Sequence, residues 1–447
     1  MEEDADYEAL NHDEVAKDAI EVPSEDDVPE HLRTRPDGSF RFVLSWRKLW
    51  AFCGPGWLMS LAYLDPGNLE ADLQQGAYTR FRLVWVLWWA TVMGLVLQEM
   101  SARLGVVTGK SLSETARERY PRWVSNAVYV NMEVAVIGSD IQEVVGSAIA
   151  INLLFPRVPL WAGCLITGLD TFTFMAVHFL GARYLEALIT TLVGAMAVCF
   201  FVNWGEVDTP PGPALAGWAA PTMKRYMVMQ AVGTIGAVIM PHNLYLHSGL
   251  VQSRKLDRGD DYRVFEARAR ERSPRTFLPP SASRARALSL TAAAKPARSP
   301  PLFLPPPRRR ARALEATVYN ALESAGALAV SFVINLAVVA TFAGSFYSAR
   351  CAPDGNACMP TSAVDDDDWA RDPDYCTADE RADAAYESVC APIGLAQAGP
   401  ALEKAFGGSG LLIWAVGLLA AGQASTMTAT FAGQIIMSGF VRLDISP

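Results

Sequence analysis

Four consecutive residues, Asp65, Pro66, Gly67 and Asn68, stand inside an otherwise apolar run of membrane length at residues 49–76. An aspartate at the centre of a bilayer costs roughly 2.5–3.5 kcal/mol on insertion scales, so its presence there points to a use. A second run, residues 226–250, carries the same kind of interruption: Pro241, flanked by Met240, His242 and Asn243, with Gly233 and Gly236 upstream. Proline removes a backbone hydrogen bond and clashes with the preceding helical turn. Backbone opened at membrane depth is tolerated only where it is buried in protein or lines a cavity. The two breaks together offer the hard carboxylate of Asp65, the amide oxygen of Asn68, freed carbonyls such as that of Ala237, and the soft thioether of Met240. The oxygens suit Mg²⁺, Ca²⁺ and Mn²⁺ alike, whereas a thioether adds affinity only for softer transition metals. Methionine in an apolar span is more often core filler, and the chain has 14; the position of Met240 immediately before a helix-breaking proline is what makes it a ligand candidate. The chemistry implied is divalent-cation binding at mid-membrane depth.

A second set of residues has the chemistry of proton movement. Asp140 and Glu143 are three apart and so share one helical face. Carboxylates inside a membrane bundle are typical members of proton relays. His242 and His247, two of only five histidines, carry imidazoles that exchange protons near neutrality. Asp65 itself gives up a proton when a dication sits beside it. The competing reading is structural: a helix face close to the membrane surface for the carboxylates, satisfied core imidazoles for the histidines.

The elements that must position these groups are membrane helices. Of the 447 residues 51% are hydrophobic and only 19% charged, below the usual share for a soluble domain. Eight runs reach the ~20 residues of a spanning helix: 49–76, 83–106, 126–154, 159–181, 184–204, 226–250, 317–346 and 409–438. A soluble enzyme is excluded, and no catalytic constellation or nucleic-acid-binding signature is present. Interruptions in the first and sixth spans predict two inverted repeats of five helices with a midplane site between them. The expected fold class is an all-α polytopic membrane protein, of inverted-repeat type with interrupted helices 1 and 6.

Charge is segregated along the chain. Residues 1–30 carry thirteen acids against the single base Lys17, and residues 1–40 read as a disordered acidic tail. Basic loops after spans two and four alternate with poor or acidic ones, which places the N-terminus in the cytoplasm despite dissent from Arg80, Arg82, Arg157, Lys224 and Arg225. Spans 1–6 fall in 41–256. Residues 257–313 form a basic Pro/Ala/Ser/Arg-rich cytoplasmic loop without apolar period, expected to be linker. Spans 7–8 fall in 314–447, separated by an acidic outer loop at 347–400 that contains Cys351, Cys358, Cys376 and Cys390. An even cysteine set in an oxidising compartment predicts two disulfides, in one of three connectivities. A metal site there is the weaker alternative, since the loop has no His and no C-x-x-C.

The stretches "GPGWLMSLAYLDPGNLEADLQQGA", "GSDIQEVVGSAIAINLL", "PLWAGCLITGLDTF", "GAVIMPHNLYLHS" and "AAGQASTMTATFAGQIIMSGF" resemble the Nramp family (natural resistance-associated macrophage proteins), proton-coupled divalent-metal transporters. The resemblance runs over about residues 45–256 and 314–442, and Gly422–Gln423 and Gly433–Gln434 bracket a stretch similar to the family's transport signature. It implies the leucine-transporter-type fold. It further implies metal-binding positions at Asp65, Asn68, Ala237 (through its carbonyl) and Met240, and proton-pathway positions at Asp65, Asp140, Glu143, His242 and His247. Pro66, Gly67 and Pro241 are the helix breaks. The implied activity is symport of Mn²⁺ or Fe²⁺ with protons toward the cytosol, across a plasma, endosomal or vacuolar membrane. The implied partners are the ion and the lipid bilayer, with no nucleic acid, and no cofactor takes part.

Two departures from the family bear on that expectation. Residues 272–312 are foreign to it, in the manner of translated non-coding sequence. With eight spans the second repeat is incomplete, and the face of span three carrying Asp140 or Glu143 is expected to meet lipid where partners are missing. The alternatives are a non-transporting signalling or scaffold relative and an inactive truncated fragment. An amino-acid carrier of the same architecture fits poorly, because Asp65 would repel a substrate carboxylate.

Overall fold

The computed structural model describes residues 20–21, 44–52, 59, 63–178, 182–207, 209, 211–255, 307–364 and 388–441. The first apolar run gives α1 (Trp46–Phe52) and α2 (Pro66–Thr79). There follow α3 (Val84–Thr108), a short α4 (Leu112–Arg119), α5 (Arg122–Leu154), α6 (Leu160–His178), α7 (Ala182–Gly205) and a second short helix, α8 (Pro211–Ala219). The sixth run is split into α9 (Val228–Val238) and α10 (Pro241–Leu250); the chain continues through α11 (Pro307–Ser345), α12 (Leu395–Phe406) and α13 (Gly408–Val441). Among the described residues, four helices are long and apolar enough to cross a membrane unbroken: α3, α5, residues Leu314–Ser345 of α11, and α13. Their outer faces expose Trp89, Met100, Val134, Ile141 and Leu412, the inverse of a soluble protein's surface and the arrangement lipid requires.

Prolines do not merely interrupt the first and sixth spans; each starts the second half-helix. Pro66 occupies the first turn of α2 and Pro241 the first turn of α10. Proline is at home there because its missing N–H has no intrahelical acceptor in any case. The residues before them, Asp65 and Met240, have extended backbone with ψ of 165° and 115°, the conformation a following proline enforces. The loop after the second span contains the short α4, started by a capping box in which Ser111 and Glu114 each bond the other's backbone N–H.

The helix of the seventh span starts at Pro307, and its membrane-length apolar part is Leu314–Ser345. Ile20–Glu21 of the acidic tail form a two-residue strand, β1, parallel to β2 (Arg254–Lys255). One expectation is corrected. Glu143 does not face lipid. It is 2% exposed, because Gly422 lets α13 approach α5 so closely that a Cβ there would strike the Ser147 side chain and stand 3.2 Å from the Glu143 carbonyl. The rest of the low-complexity stretch, including residues 272–306, lies outside the described residues.

The core sits where α7, α11 and α13 meet. Trp414 is 5.3 Å from Phe342 edge-on, and Phe200 and Phe346 are buried with them. The outer loop carries an antiparallel pair, β3 (Ala357–Pro360) and β4 (Ser388–Ala391), in which Cys358 stands opposite Cys390. Cys390 is nevertheless bonded to Cys351, 5.4 Å away between Cα atoms. Cys358 is also disulfide-bonded, and Cys376 lies outside the described residues. This loop is strapped onto α2: Glu70 Oε2 accepts from the Leu395 N–H at 2.8 Å, and Tyr78 Oη accepts from the Ile393 N–H at 3.0 Å. At the other end Lys48 Nζ pairs with Glu315 Oε1 at 2.8 Å, tying α1 to α11.

Candidate metal site

Asp65 is the N-cap of α2. Its Oδ1 accepts from the backbone N–H of Asn68 and from Asn68 Nδ2, both at 2.7 Å. The cap satisfies a donor that the first turn of any helix leaves orphaned. Asn68 Nδ2 also donates to the Ala237 carbonyl at 3.1 Å. That carbonyl is available because α9 stops at Val238, so its last turn has no following N–H groups to receive. One amide thus spans both breaks, joining residues 169 apart in sequence.

Asp65 Oδ2 is buried and has no hydrogen-bond partner among the described residues. A buried carboxylate oxygen left unsatisfied carries a large desolvation cost, which makes it a candidate ligand for a group from outside the chain. The carbonyl end of α9 adds the negative end of a helix dipole beside that carboxylate, and both attract a cation. Ala237 and Met240 are half-buried, consistent with groups that line a space rather than fill a core. The main-chain carbonyl of Met240 accepts from Asn243 at 3.2 Å. Its thioether is the side-chain donor that residue could offer a metal.

The partner helix on the other side of the break is α5. A Cβ at Gly146 would lie 2.5 Å from Pro66 Cβ, and one at Gly67 would collide with the Gln142 side chain. Small residues here let α5 and the break touch. Glu143 sits on this stretch, held by Ser139 Oγ at 3.0 Å through Oε1, while Oε2 is buried without a partner among the described residues. It lies within electrostatic range of both Asp65 and Asp140. Asp140, three residues away on α5, is half-buried. His242 and His247 are buried on α10 at 4% and 1% exposure. His242 Nδ1 and both ring nitrogens of His247 have no hydrogen-bond partner among the described residues. The described residues leave neither imidazole fully hydrogen-bonded.

The geometry brings Asp65, Asn68 and Ala237 into one hydrogen-bonded group, with Met240 three residues beyond Ala237 and Glu143 close by. Asp140 lies farther out along α5. Sequence reasoning passed over Asp72 and Gln75. Both are buried on α2, Gln75 Oε1 accepts from Thr234 Oγ1 of α9 at 2.9 Å, and Asp72 Oδ2 is unpartnered among the described residues. The signal was present, since 65, 68, 72 and 75 repeat at three- and four-residue spacing.

These features define a helical integral membrane protein with a buried polar group between two broken spans. Residues 56–447 match the family described as natural resistance-associated macrophage protein-like. "Metal transporter Nramp4" of Arabidopsis thaliana is 41% identical over 414 residues, 92% of this chain, and "Natural resistance-associated macrophage protein 1" of Sus scrofa is 42% identical over 407 residues, 90% of this chain. The chain belongs to the Nramp family. It spans 64% of the length of each of those two relatives. Among solved structures, a manganese transporter of Eremococcus coleocola, crystallised with an aromatic bis-isothiourea substituted compound, superposes with a TM-score of 0.63 at 25% identity, covering 93% of this chain and 70% of that one. The fold is that of the leucine-transporter class, as the family resemblance implies.

Proposed function

We propose that this chain works in secondary active transport of a divalent transition metal, Mn²⁺ or Fe²⁺, moved with protons toward the cytosol. The reading takes Asp65, Asn68, the Ala237 carbonyl and Met240 as metal ligands. Glu143, Asp140, His242 and His247 carry the protons, in a multi-pass protein with a cytoplasmic N-terminus in a plasma, endosomal or vacuolar membrane. The observation that carries it is the Asn68 amide, bonded at once to the Asp65 carboxylate and to the carbonyl of the other broken helix. A dication entering there meets one full negative charge, two neutral oxygens and a sulfur, a mixed set that favours softer divalent ions over Mg²⁺ and Ca²⁺. Because the ligands belong to two half-helices that can tilt independently, the site can open to either side in turn. Metal at Asp65 excludes a proton from that carboxylate, and Glu143 is the nearby group placed to receive it.

The test is Mn²⁺ titration of the purified chain, followed by Mn²⁺ uptake into proteoliposomes with and without an inward proton gradient. Saturable binding lost in Asp65→Ala, and uptake stimulated by the gradient, are expected. Binding that survives Asp65→Ala refutes the site. Binding without uptake favours the scaffold reading.

A further inference from the structure

On α2 the polar side chains Asn68, Asp72 and Gln75 fall within about 60° of arc at 3.6 residues per turn, so they form a ladder along one face, with Asp65 at the N-cap below it. That face looks at α9: Asn68 reaches the Ala237 carbonyl, and Gln75 receives the Thr234 hydroxyl. The neighbouring face is fixed against α11, where a Cβ on Gly76 would meet Ala343 N at 2.9 Å. Asp72 therefore stands between two rungs whose direction is known, about 6 Å above Asn68 and 4.5 Å below Gln75 by helical rise.

Asp72 is 1% exposed, and its Oδ2 has no hydrogen-bond partner among the described residues. It joins no ion pair among them, and the nearest charge it feels is the like charge of Asp65. Gln75 is fully buried, and its Nε2 is likewise without a partner. Rotating that amide by 180° would let Nε2 donate to Thr234 Oγ1 and turn Oε1 toward Asp72. An unpaired carboxylate with an amide oxygen one turn away is a cation site made only of hard donors.

We propose that Asp72 and Gln75 form a second divalent-cation site, a waiting position through which the ion passes between the outer-loop end of α2 and Asp65. The proposal rests on the reading of Asp65 as the central ligand. Its donors are all oxygen, so it binds Mn²⁺ and Mg²⁺ with little discrimination, and selection is left to Met240. Two dications about two turns apart, roughly 10 Å by helical rise, repel, so the second site is the weaker one and empties as the central site fills.

The experiment measures Mn²⁺ binding to the full chain in lipid nanodiscs from the electron paramagnetic resonance signal of free Mn²⁺. Four proteins are compared: the unmodified chain, Asp65→Ala, Asp72→Asn and the double variant. Asp65→Ala is expected to lose the tight site and keep a weaker one that Mg²⁺ displaces at similar concentration. Adding Asp72→Asn should weaken that residual binding at least tenfold; looser binding by surface carboxylates is common to both proteins and cancels in the comparison. Superimposable isotherms for Asp65→Ala and the double variant overturn the proposal, as does the absence of residual binding in Asp65→Ala. If Asp65→Ala keeps the tight site, the central reading fails instead. The single variant Asp72→Asn then decides, and unchanged total binding rejects the waiting site. Should Asp72→Asn elute as aggregate, Gln75→Leu in the Asp65→Ala background removes one oxygen without touching charge; a several-fold loss supports the proposal and no change refutes it.

Discussion

Replacing Asn68 by alanine deletes a side chain that bridges the two breaks. Two hydrogen bonds go: one to the Asp65 carboxylate at 2.7 Å and one to the Ala237 carbonyl at 3.1 Å. Side-chain hydrogen bonds within membrane proteins are worth on average about 0.6 and at most about 1.7 kcal/mol each, so the variant should lose roughly 1–3 kcal/mol of stability. Its effect on metal is larger in proportion. Loss of a group that merely orients a ligand costs about 10–100-fold in metal affinity, and Asn68 orients Asp65 besides offering an oxygen of its own. These figures make a thermal assay decisive. At a Mn²⁺ concentration 100 times the unmodified dissociation constant, bound metal stabilises the native state by about 2.7 kcal/mol; a tenfold weaker site leaves about 1.4 and a hundredfold weaker one about 0.4. Melting curves with and without Mn²⁺ should therefore show the metal-induced shift falling by half or more in Asn68→Ala. A lowered melting temperature with an undiminished Mn²⁺ shift would mean that Asn68 is only structural, and the bridged-break argument would be wrong.

Other outcomes test separate parts of the argument. Met240→Ala should weaken Mn²⁺ binding and narrow the preference over Ca²⁺ and Mg²⁺, because only oxygen donors remain; an unchanged competition profile returns Met240 to core filler. In intact cells an impermeant thiol reagent should leave Cys351, Cys358 and Cys390 unmodified before reduction and label them after it. Labelling that also requires permeabilisation would reverse the orientation. The Lys48–Glu315 pair, 5% and 15% exposed at its side chains, should show a coupling of roughly 0.5–3 kcal/mol in a double-mutant cycle of unfolding with Lys48→Met and Glu315→Gln. Additive effects would show that it does not tie α1 to α11.

Much of the architecture is written locally. Apolar runs of bilayer length become helices because lipid leaves backbone groups no other partner, and that rule needs no knowledge of neighbours. The two breaks are equally local: Pro66 and Pro241 cannot continue a helix but can begin one, so the chain must open at Asp65 and Met240. The capping box at Ser111 and Glu114 is of the same kind, within reach of four residues. What the chain alone left open depends on contacts between distant segments. The disulfide Cys351–Cys390 belongs to one of the three connectivities that four cysteines allow, and only the fold of the outer loop selects it. Glu143 is buried because Gly422, on a helix nearly 280 residues later, leaves room for backbone to meet backbone. The role of Asn68 appears only when the end of α9 arrives with an unpaired carbonyl. Sequence determines which groups are available, since helix formation and helix breaking act over one or two turns. Tertiary structure determines which of them face the same few ångströms, because that is a property of packing between helices.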